Sequence, residues 1–159
     1  IYKYCLSIGR IEMAYFSDKL DIYENYTRGQ LCDLLNIPFN ADIVRGVYKP
    51  QNYSTIFFFS TINNWASYIN GKISDTEFLY SANSQYLDPE ITQHQFTRKE
   101  LLLFVRIDEN TGFYYFGRCK YSHSRDYRLP NYLFPLYCLE LLETRFSNVV
   151  GIDIPDLFI

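Results

Sequence analysis

Two apolar runs with a polar turn between them constrain the fold of this chain more than any other feature. Residues 101–107 (LLLFVRI) and 113–121 (FYYFGRCKY) are rich in the aliphatic and aromatic residues that strands favour. Between them, Asn110-Thr111-Gly112 supplies residue types that tolerate a tight reversal of the chain. The pattern predicts an antiparallel β-hairpin.

The second strand of this hairpin opens with four consecutive aromatic residues. Strand side chains alternate between faces, so Phe113 and Tyr115 should face one side of the sheet and Tyr114 and Phe116 the other. One face must be core, because aromatic side chains dominate core burial. The other face could present a ring to a ligand near the basic residues that follow, although a core position is favoured for any single ring.

Further strands are predicted in three β-branched or aromatic segments, residues 46–48, 56–61 and 78–81. The Phe57-Phe58-Phe59 run within the second segment should be buried on both faces. Residues 134–142 predict either a final strand or a short helix, because periodicity does not distinguish the two in so short an apolar run.

The N-terminal part of the chain has helical signals. Apolar residues recur at spacings near three and four over residues 1–23, and Thr27 with Gln30 fits the capping box of a second helix that ends before Pro38. The predicted fold class is α+β: a helical portion over about 1–37, packed on a mixed, strongly curved, barrel-like sheet over about 44–145. Residues 1–159 are expected to form a single domain, and the initial Ile indicates a fragment of a larger protein.

The composition indicates a folded chain rather than a disordered or membrane-spanning one. Of the 159 residues, 48% are hydrophobic and 21% charged, near the averages of globular domains. The longest apolar stretches, residues 101–105 and 56–59, are far short of the roughly 18 residues that span a bilayer. No signal peptide opens the chain, so we expect a cytoplasmic protein without a membrane partner.

Motifs for catalysis, metal binding or cofactor binding are absent from the sequence. There is no G-x-S-x-G elbow, phosphate-binding loop, dinucleotide fingerprint or H-E-x-x-H, and no C-x-x-C pair. We therefore expect no catalytic residue, metal or cofactor. The cysteines are expected to be reduced thiols: Cys5, Cys32, Cys119 and Cys138.

Asp88, Glu90 and His123 support a less favoured alternative, a small hydrolase or nuclease. These residues would need to converge in space to act together. His123 precedes Arg125 in a polar segment and could carry a proton or contact phosphate, but a solvated loop is the favoured interpretation. His94 lies between glutamines and is expected at the surface.

Aromatic content and charge distribution are the unusual features of the composition. The chain has 16 Tyr, 13 Phe and 1 Trp, and its net charge is −3. Residues 98–128 contain seven basic and four acidic residues, a net +3, so the remainder carries −6. Aromatic side chains interleaved with cations suit a nucleic-acid base and its phosphate.

The order of these segments resembles one family. The segments are residues 26–35, 46–48, 56–61 and 78–85, with L-F-V-R at 103–106 and F-Y-Y-F-G-R at 113–118. Over about residues 20–145 they resemble the poorly characterised domain appended to the C-terminus of superfamily II helicase and restriction-like defence proteins. The resemblance implies DNA handling, and a more distant kinship with the compact PUA/SRA-like folds that read modified bases.

The resemblance also implies site residues: Phe78, Tyr80, Ser81 and Gln85 in the first motif, and Arg106, Tyr115, Gly117 and Arg118 in the hairpin. On this basis a flipped or unpaired base would stack between Tyr80 and Trp65, with its edge read by Ser81, Asn83 or Gln85. Phosphates would be contacted by basic residues: Arg106, Arg118 and Lys120, with His123 and Arg125 nearby.

The sequence thus predicts a non-catalytic DNA-binding module that reads a modified or flipped base. Its partners would be DNA and covalently linked helicase or nuclease domains. The alternative is a structural or protein–protein interaction domain whose aromatic residues form a core and a partner surface, which the acidic balance favours.

Overall fold

The computed structural model describes residues 14–39, 43–62, 69–126 and 134–156, which contain eight strands and two short helices. The strands are β1 (Asn25–Tyr26), β2 (Gly46–Tyr48), β3 (Thr55–Thr61), β4 (Gly71–Lys72), β5 (Glu77–Ser81), β6 (Glu100–Arg106), β7 (Phe113–Asp126) and β8 (Pro135–Leu141). The helices are α1 (Arg28–Leu35) and α2 (Pro89–Thr92), and 3-10 turns occupy Phe16–Lys19 and Phe146–Asn148. No helix within these ranges has the length and apolarity needed to cross a membrane.

The strands form one mixed sheet in the order β2-β3-β6-β7-β8-β5-β4, with β1 paired to β7. Strands β3 and β6 are parallel, and the other named pairs are antiparallel. The predicted barrel-like, strongly curved sheet is wrong. A barrel closes when its end strands pair, whereas β2 and β4, three and two residues long, lie at opposite edges of this sheet.

The helical portion predicted over residues 1–37 is also wrong for the part that is described. Residues before 14 lie outside the described ranges, and residues 16–26 form a 3-10 turn and strand β1 in place of a long helix. Phe16 is fully buried, with its ring centroid 5.0 Å from that of Tyr53 and 5.1 Å from that of Phe57. These non-local contacts outweigh the local spacing that favoured a helix.

The short helix predicted after Thr27 is confirmed as α1. Thr27 Oγ1 accepts a hydrogen bond from the Gln30 N–H at 3.2 Å, and Gln30 Oε1 accepts one from the Thr27 N–H at 2.8 Å. This is the predicted capping box, and it satisfies amide groups that the first turn of a helix leaves without a partner. The helix ends at Leu35, before Pro38.

Core side chains cover both faces of the sheet, which confirms the prediction for the Phe57-Phe58-Phe59 run. Phe57 and Phe59 pack in the core layer beneath α1, and Phe58 packs in the layer on the opposite face. Strand β7 alternates as predicted, with Phe113 on the α1 face and Phe116 on the other. Both of these rings are buried, which agrees with the core position favoured for any single ring, and Tyr114 is half-buried.

The predicted hairpin is confirmed as the antiparallel pair β6–β7. Residues 134–142, for which the sequence left a strand and a short helix open, contain strand β8. The β6–β7 register shifts between Leu102 and Phe104, close to Gly117, which has a φ of +82°. A Cβ atom at Gly117 would lie 3.1 Å from Glu143 Oε1. This register shift is a β-bulge. Gly117 lies in it with a left-handed backbone and with the Glu143 side chain close to its Cα, and both conditions favour glycine.

Candidate functional site

A cleft of about 1120 Å³ opens where β3 and β6 end. Since these strands are parallel, their carboxyl ends, Thr61 and Arg106, lie at the same edge of the sheet. The start of β2, the end of β5 and the first residues of α1 complete the walls. Ligands commonly bind beyond the carboxyl ends of parallel strands, and the volume is sufficient for a small molecule or a nucleotide.

Arg106 is held in a fixed position within this cleft. Its guanidinium carbon lies 4.3 Å from the ring centroid of Phe113, and its Nε–H donates to Thr61 Oγ1 at 2.8 Å. Burial lowers the pKa of the guanidinium, an effect opposed by Glu109 and Asp108. Stacking and the Nε bond use one face and one edge of the group, which leaves its terminal nitrogens for a planar acceptor.

Arg28 lines the same cleft, because the pairing of β1 with β7 places the start of α1 beside it. Strand β1 pairs Tyr26 with Phe113, the residue on which Arg106 stacks, and Arg28 follows two positions later as the first residue of α1. The Arg28 guanidinium carbon lies 5.0 Å from the ring centroid of Phe39. Two arginines, each stacked on a phenylalanine, are thus brought to one end of the cleft.

These two arginines differ from half of the lysines and arginines that the structure describes. Neither Arg28 nor Arg106 makes an ion pair with a carboxylate among the described residues. Six other cations in those ranges are ion-paired with Asp or Glu: Lys49, Lys72, Lys99, Arg118, Lys120 and Arg145. When no carboxylate neutralises an arginine or occupies its N–H donors, both the charge and the donors are available to a ligand.

The floor of the cleft is aromatic and rigid. Tyr80 is buried, and its hydroxyl donates to the Phe59 carbonyl oxygen at 2.9 Å. Its ring makes an edge contact with Phe58, with the ring centroids 4.9 Å apart. Tyr137 accepts the Asp88 N–H at 2.7 Å, and burial raises the pKa of its hydroxyl. Both tyrosines therefore shape the floor rather than stand exposed as stacking surfaces.

The side of the cleft formed by β5 and the loop after it carries amide and hydroxyl groups. Asn70 Oδ1 accepts the Ser81 N–H at 2.9 Å, and the Ser81 hydroxyl donates to the Ala82 carbonyl oxygen at 3.0 Å. Asn83 is exposed on the rim. Tyr86 is 79% exposed and lines the same rim, so its ring is accessible to a ligand.

The acidic residues of the nuclease alternative are engaged in an ionic cluster. Lys49 Nζ lies 2.7 Å from Asp88 Oδ2 and 2.6 Å from Glu90 Oε1, and Lys99 Nζ lies 3.0 Å from Glu90 Oε2. Hydrogen bonds from these lysines lower the pKa of Glu90 to about 2. His123 instead hydrogen-bonds Ser122 Oγ at 2.7 Å. Among the described residues, no group of three acidic, His or Cys side chains could hold a metal ion.

Four of the predicted site residues line the cleft together: Tyr80, Ser81, Asn83 and Arg106. Phe78 and Tyr115 are buried in the two core layers, so they have no surface for a ligand in this structure. Burial also raises the pKa of the Tyr115 hydroxyl. Trp65 lies outside the described residues.

The remaining predicted residues lie away from the cleft lining. Arg118 pairs with Glu143 at 2.8 Å, and Lys120 pairs with Glu140 at 3.7 Å. Three more are exposed: Gln85 in the loop after β5, and His123 and Arg125 in the last part of β7. Of the residues predicted to contact phosphate, Arg106 is therefore the one that lines the cleft, and Arg28, which was not predicted, lines it as well.

His94 is buried, contrary to the surface position expected from its neighbours. Its Nε2 accepts the Tyr121 N–H at 3.2 Å, so Nδ1 carries the proton and donates to the Lys99 carbonyl oxygen at 2.8 Å. Burial lowers the pKa of the imidazole. His94 thus joins the loop after α2 to strand β7, a role that no local sequence pattern signals.

The described cysteines, Cys32, Cys119 and Cys138, are free and buried, as predicted. Burial raises the pKa of each of these thiols. Cys5 lies outside the described residues.

Comparison with known protein families places most of these residues within a matched range. A family model described as a domain of unknown function (DUF3427) matches residues 20–131. No curated protein matches the chain. The matched range contains all of the cleft residues named above except Tyr137.

Proposed function

The chain belongs to the DUF3427 family, and we propose that it is a non-catalytic DNA-binding module whose cleft receives a nucleotide, including a flipped or modified base. One observation carries this proposal. Arg28 and Arg106 line a single cleft, each stacked on a phenylalanine and neither paired with a carboxylate among the described residues. Guanidinium groups held in this way match the oxygen atoms of a phosphate.

The rest of the cleft suits a base. Its floor is formed by aromatic and aliphatic groups, including Tyr80, Phe59 and Ile91, and its rim carries the Asn83 amide and the exposed Tyr86 ring. A base turned out of a duplex is commonly held by stacking and by hydrogen bonds to its edge. The arginine end would then bind phosphate and the amide end would bind the base.

The proposal includes a setting in a larger protein. The resemblance of residues 20–145 to the domain appended to helicase and restriction-type proteins supports a role beside covalently linked helicase or nuclease domains. In such a protein this module would bind DNA and the linked domains would act on it. Asp88 and Glu90 hold lysines in an ionic cluster, which supports a binding role over hydrolysis for this part.

The test is a fluorescence-anisotropy titration with single-stranded DNA, duplex DNA, and duplex carrying modified cytosine or adenine, at two salt concentrations. We expect binding that weakens with salt, because phosphate contacts release counterions. Arg106→Gln should weaken binding by about tenfold or more, the worth of a hydrogen bond to a charged group. Arg118→Gln is the matched control, since Arg118 pairs with Glu143 away from the cleft lining.

Two results would contradict the proposal. One is the absence of binding to all of these DNAs at low salt. The other is an equal loss of affinity in Arg106→Gln and Arg118→Gln, because the cleft would then have no special role. Urea unfolding of both variants checks that they are folded.

A protein–protein interaction domain is the second candidate, and Phe96 favours it. This ring is 93% exposed on a loop braced by the Lys99 N–H to His94 carbonyl bond of 2.8 Å and by the Thr97 N–H to Gln93 carbonyl bond of 3.1 Å. Exposed aromatic residues on rigid supports are typical anchors of protein interfaces. If no DNA binds and Phe96→Ala abolishes association with a linked domain, this second function replaces the first.

A further inference from the structure

We infer that Asn70 determines which base the cleft accepts, by donating a hydrogen bond to an acceptor atom on the base. The ligand class is a nucleotide with a keto base, thymine or guanine, in preference to the amino bases cytosine and adenine. This inference rests on the proposed function and assigns the specificity of the same site.

The orientation of the Asn70 amide is set by the backbone beside it. Its Oδ1 lies 2.9 Å from the Ser81 nitrogen, and a backbone N–H can donate only to an oxygen acceptor of that amide. The two N–H donors of Nδ2 must therefore point away from this bond. Among the described residues, no acceptor takes a hydrogen bond from Nδ2. Asn70 also lines the cleft.

Other polar groups deep in the cleft are already engaged within the protein. The Tyr80 hydroxyl donates to the Phe59 carbonyl oxygen, and the Ser81 hydroxyl donates to the Ala82 carbonyl oxygen. Thr61 Oγ1 accepts from Arg106. Asn70 thus brings donors to the cleft from a position that the sheet fixes, while Asn83 stands on the exposed rim.

A fixed donor discriminates between bases. Thymine O4 and guanine O6 are acceptors at the positions where cytosine and adenine carry amino donors. A keto base would pair with Nδ2, whereas an amino base in the same position would place two donors against each other. Unpaired buried donors cost free energy, so the mismatch lowers affinity.

The test measures binding of the four deoxynucleoside 5′-monophosphates, and of oligonucleotides with one unpaired T, G, C or A, to the wild type and to Asn70→Asp. The wild type should prefer T and G by about three- to tenfold, the range for one neutral hydrogen bond. Aspartate still accepts the Ser81 N–H but presents an acceptor where the amide had donors. Asn70→Asp should therefore lose or reverse the preference.

Asn110→Asp is the matched control, because it adds the same charge to the lining of the same cleft at a residue that is not assigned to the base. It should lower the affinity for all four bases similarly and leave the preference intact. The inference is overturned if the wild type shows no keto preference, or if Asn70→Asp keeps it. If DNA binds with Arg106 dependence but without base preference, only this inference fails. If neither mononucleotides nor DNA bind, the proposed function fails with it.

Discussion

Glu100 connects the segment before β1 to the sheet, and its removal should destabilise the fold. This side chain is only 9% exposed, and its Oε2 accepts the Ser17 N–H at 3.0 Å and the Thr55 hydroxyl at 2.6 Å. The Ser17 hydroxyl donates to the other carboxylate oxygen. Thr55 Oγ1 in turn accepts the Phe16 N–H at 3.1 Å. One carboxylate therefore holds the backbone at Phe16 and Ser17 against strands β3 and β6.

The magnitude depends on the burial of each donor. In Glu100→Ala the Thr55 hydroxyl, 2% exposed as a residue, loses its acceptor in a dry site, at a cost of about 1–3 kcal/mol. The two Ser17 donors are only half-buried, so water can replace part of what they lose, and about 0.5–1 kcal/mol is expected for each. The sum is a loss of about 2–4 kcal/mol in the free energy of unfolding, allowing for partial additivity.

Urea unfolding followed by intrinsic fluorescence measures this loss, with the slope m expected to stay constant. Glu100→Gln should cost less than Glu100→Ala, because one amide oxygen can still accept from Ser17 and Thr55. Glu24→Ala is the control: Glu24 is exposed, so its loss should lie within about 0.5 kcal/mol of zero. A loss below about 1 kcal/mol in Glu100→Ala would refute the reasoning, since even the Thr55 hydroxyl would then need no acceptor.

Three further predictions concern single side chains. Tyr86→Ala should weaken DNA binding about 5- to 100-fold if the ring stacks on a base, whereas Phe96→Ala, also exposed but outside the cleft lining, should not change affinity by anisotropy titration. Burial lowers the pKa of His94, so its contribution to the free energy of unfolding is complete above the unfolded pKa of about 6.5 and is lost as the pH falls below that value. The urea midpoint should therefore fall between neutral and acid pH, and it should fall less in His94→Gln than in the wild type. Ser60 Oγ is buried and makes no hydrogen bond within the described residues, so Ser60→Ala should leave the urea midpoint unchanged or raise it, and a loss above about 1 kcal/mol would show that the hydroxyl has a partner.

Features that depend on near neighbours in the sequence could be predicted. The capping box joins Thr27 to a residue three positions later, and the β6–β7 hairpin joins two runs across one short turn. Residue types and spacing alone are enough to recognise both. The parallel pairing of β3 with β6 could not be recognised in this way, because the two strands are separated by β4, β5 and α2. That pairing is what forms the cleft.

The positive segment over residues 98–128 illustrates why the phosphate contacts could not be predicted from charge. Within the segment basic residues outnumber acidic ones, but the carboxylates that pair with three of them come from outside it. Glu90 pairs with Lys99, and acids in β8 and just after it pair with Lys120 and Arg118. A local excess of charge is thus largely cancelled by tertiary contacts.

Replacing either cleft arginine with lysine tests whether the cleft binds its ligand through charge alone or through oriented guanidinium groups. Phe113 follows Arg106 by seven residues and Phe39 follows Arg28 by eleven, so each guanidinium stacks on a ring close to it in sequence. Lysine in either position would keep the charge but lose the planar stacking and the paired donors. If the cleft used charge alone, lysine would substitute without loss. If it uses oriented guanidinium groups, as the Nε bond of Arg106 to Thr61 indicates, lysine should lose much of the affinity that glutamine loses, at unchanged net charge.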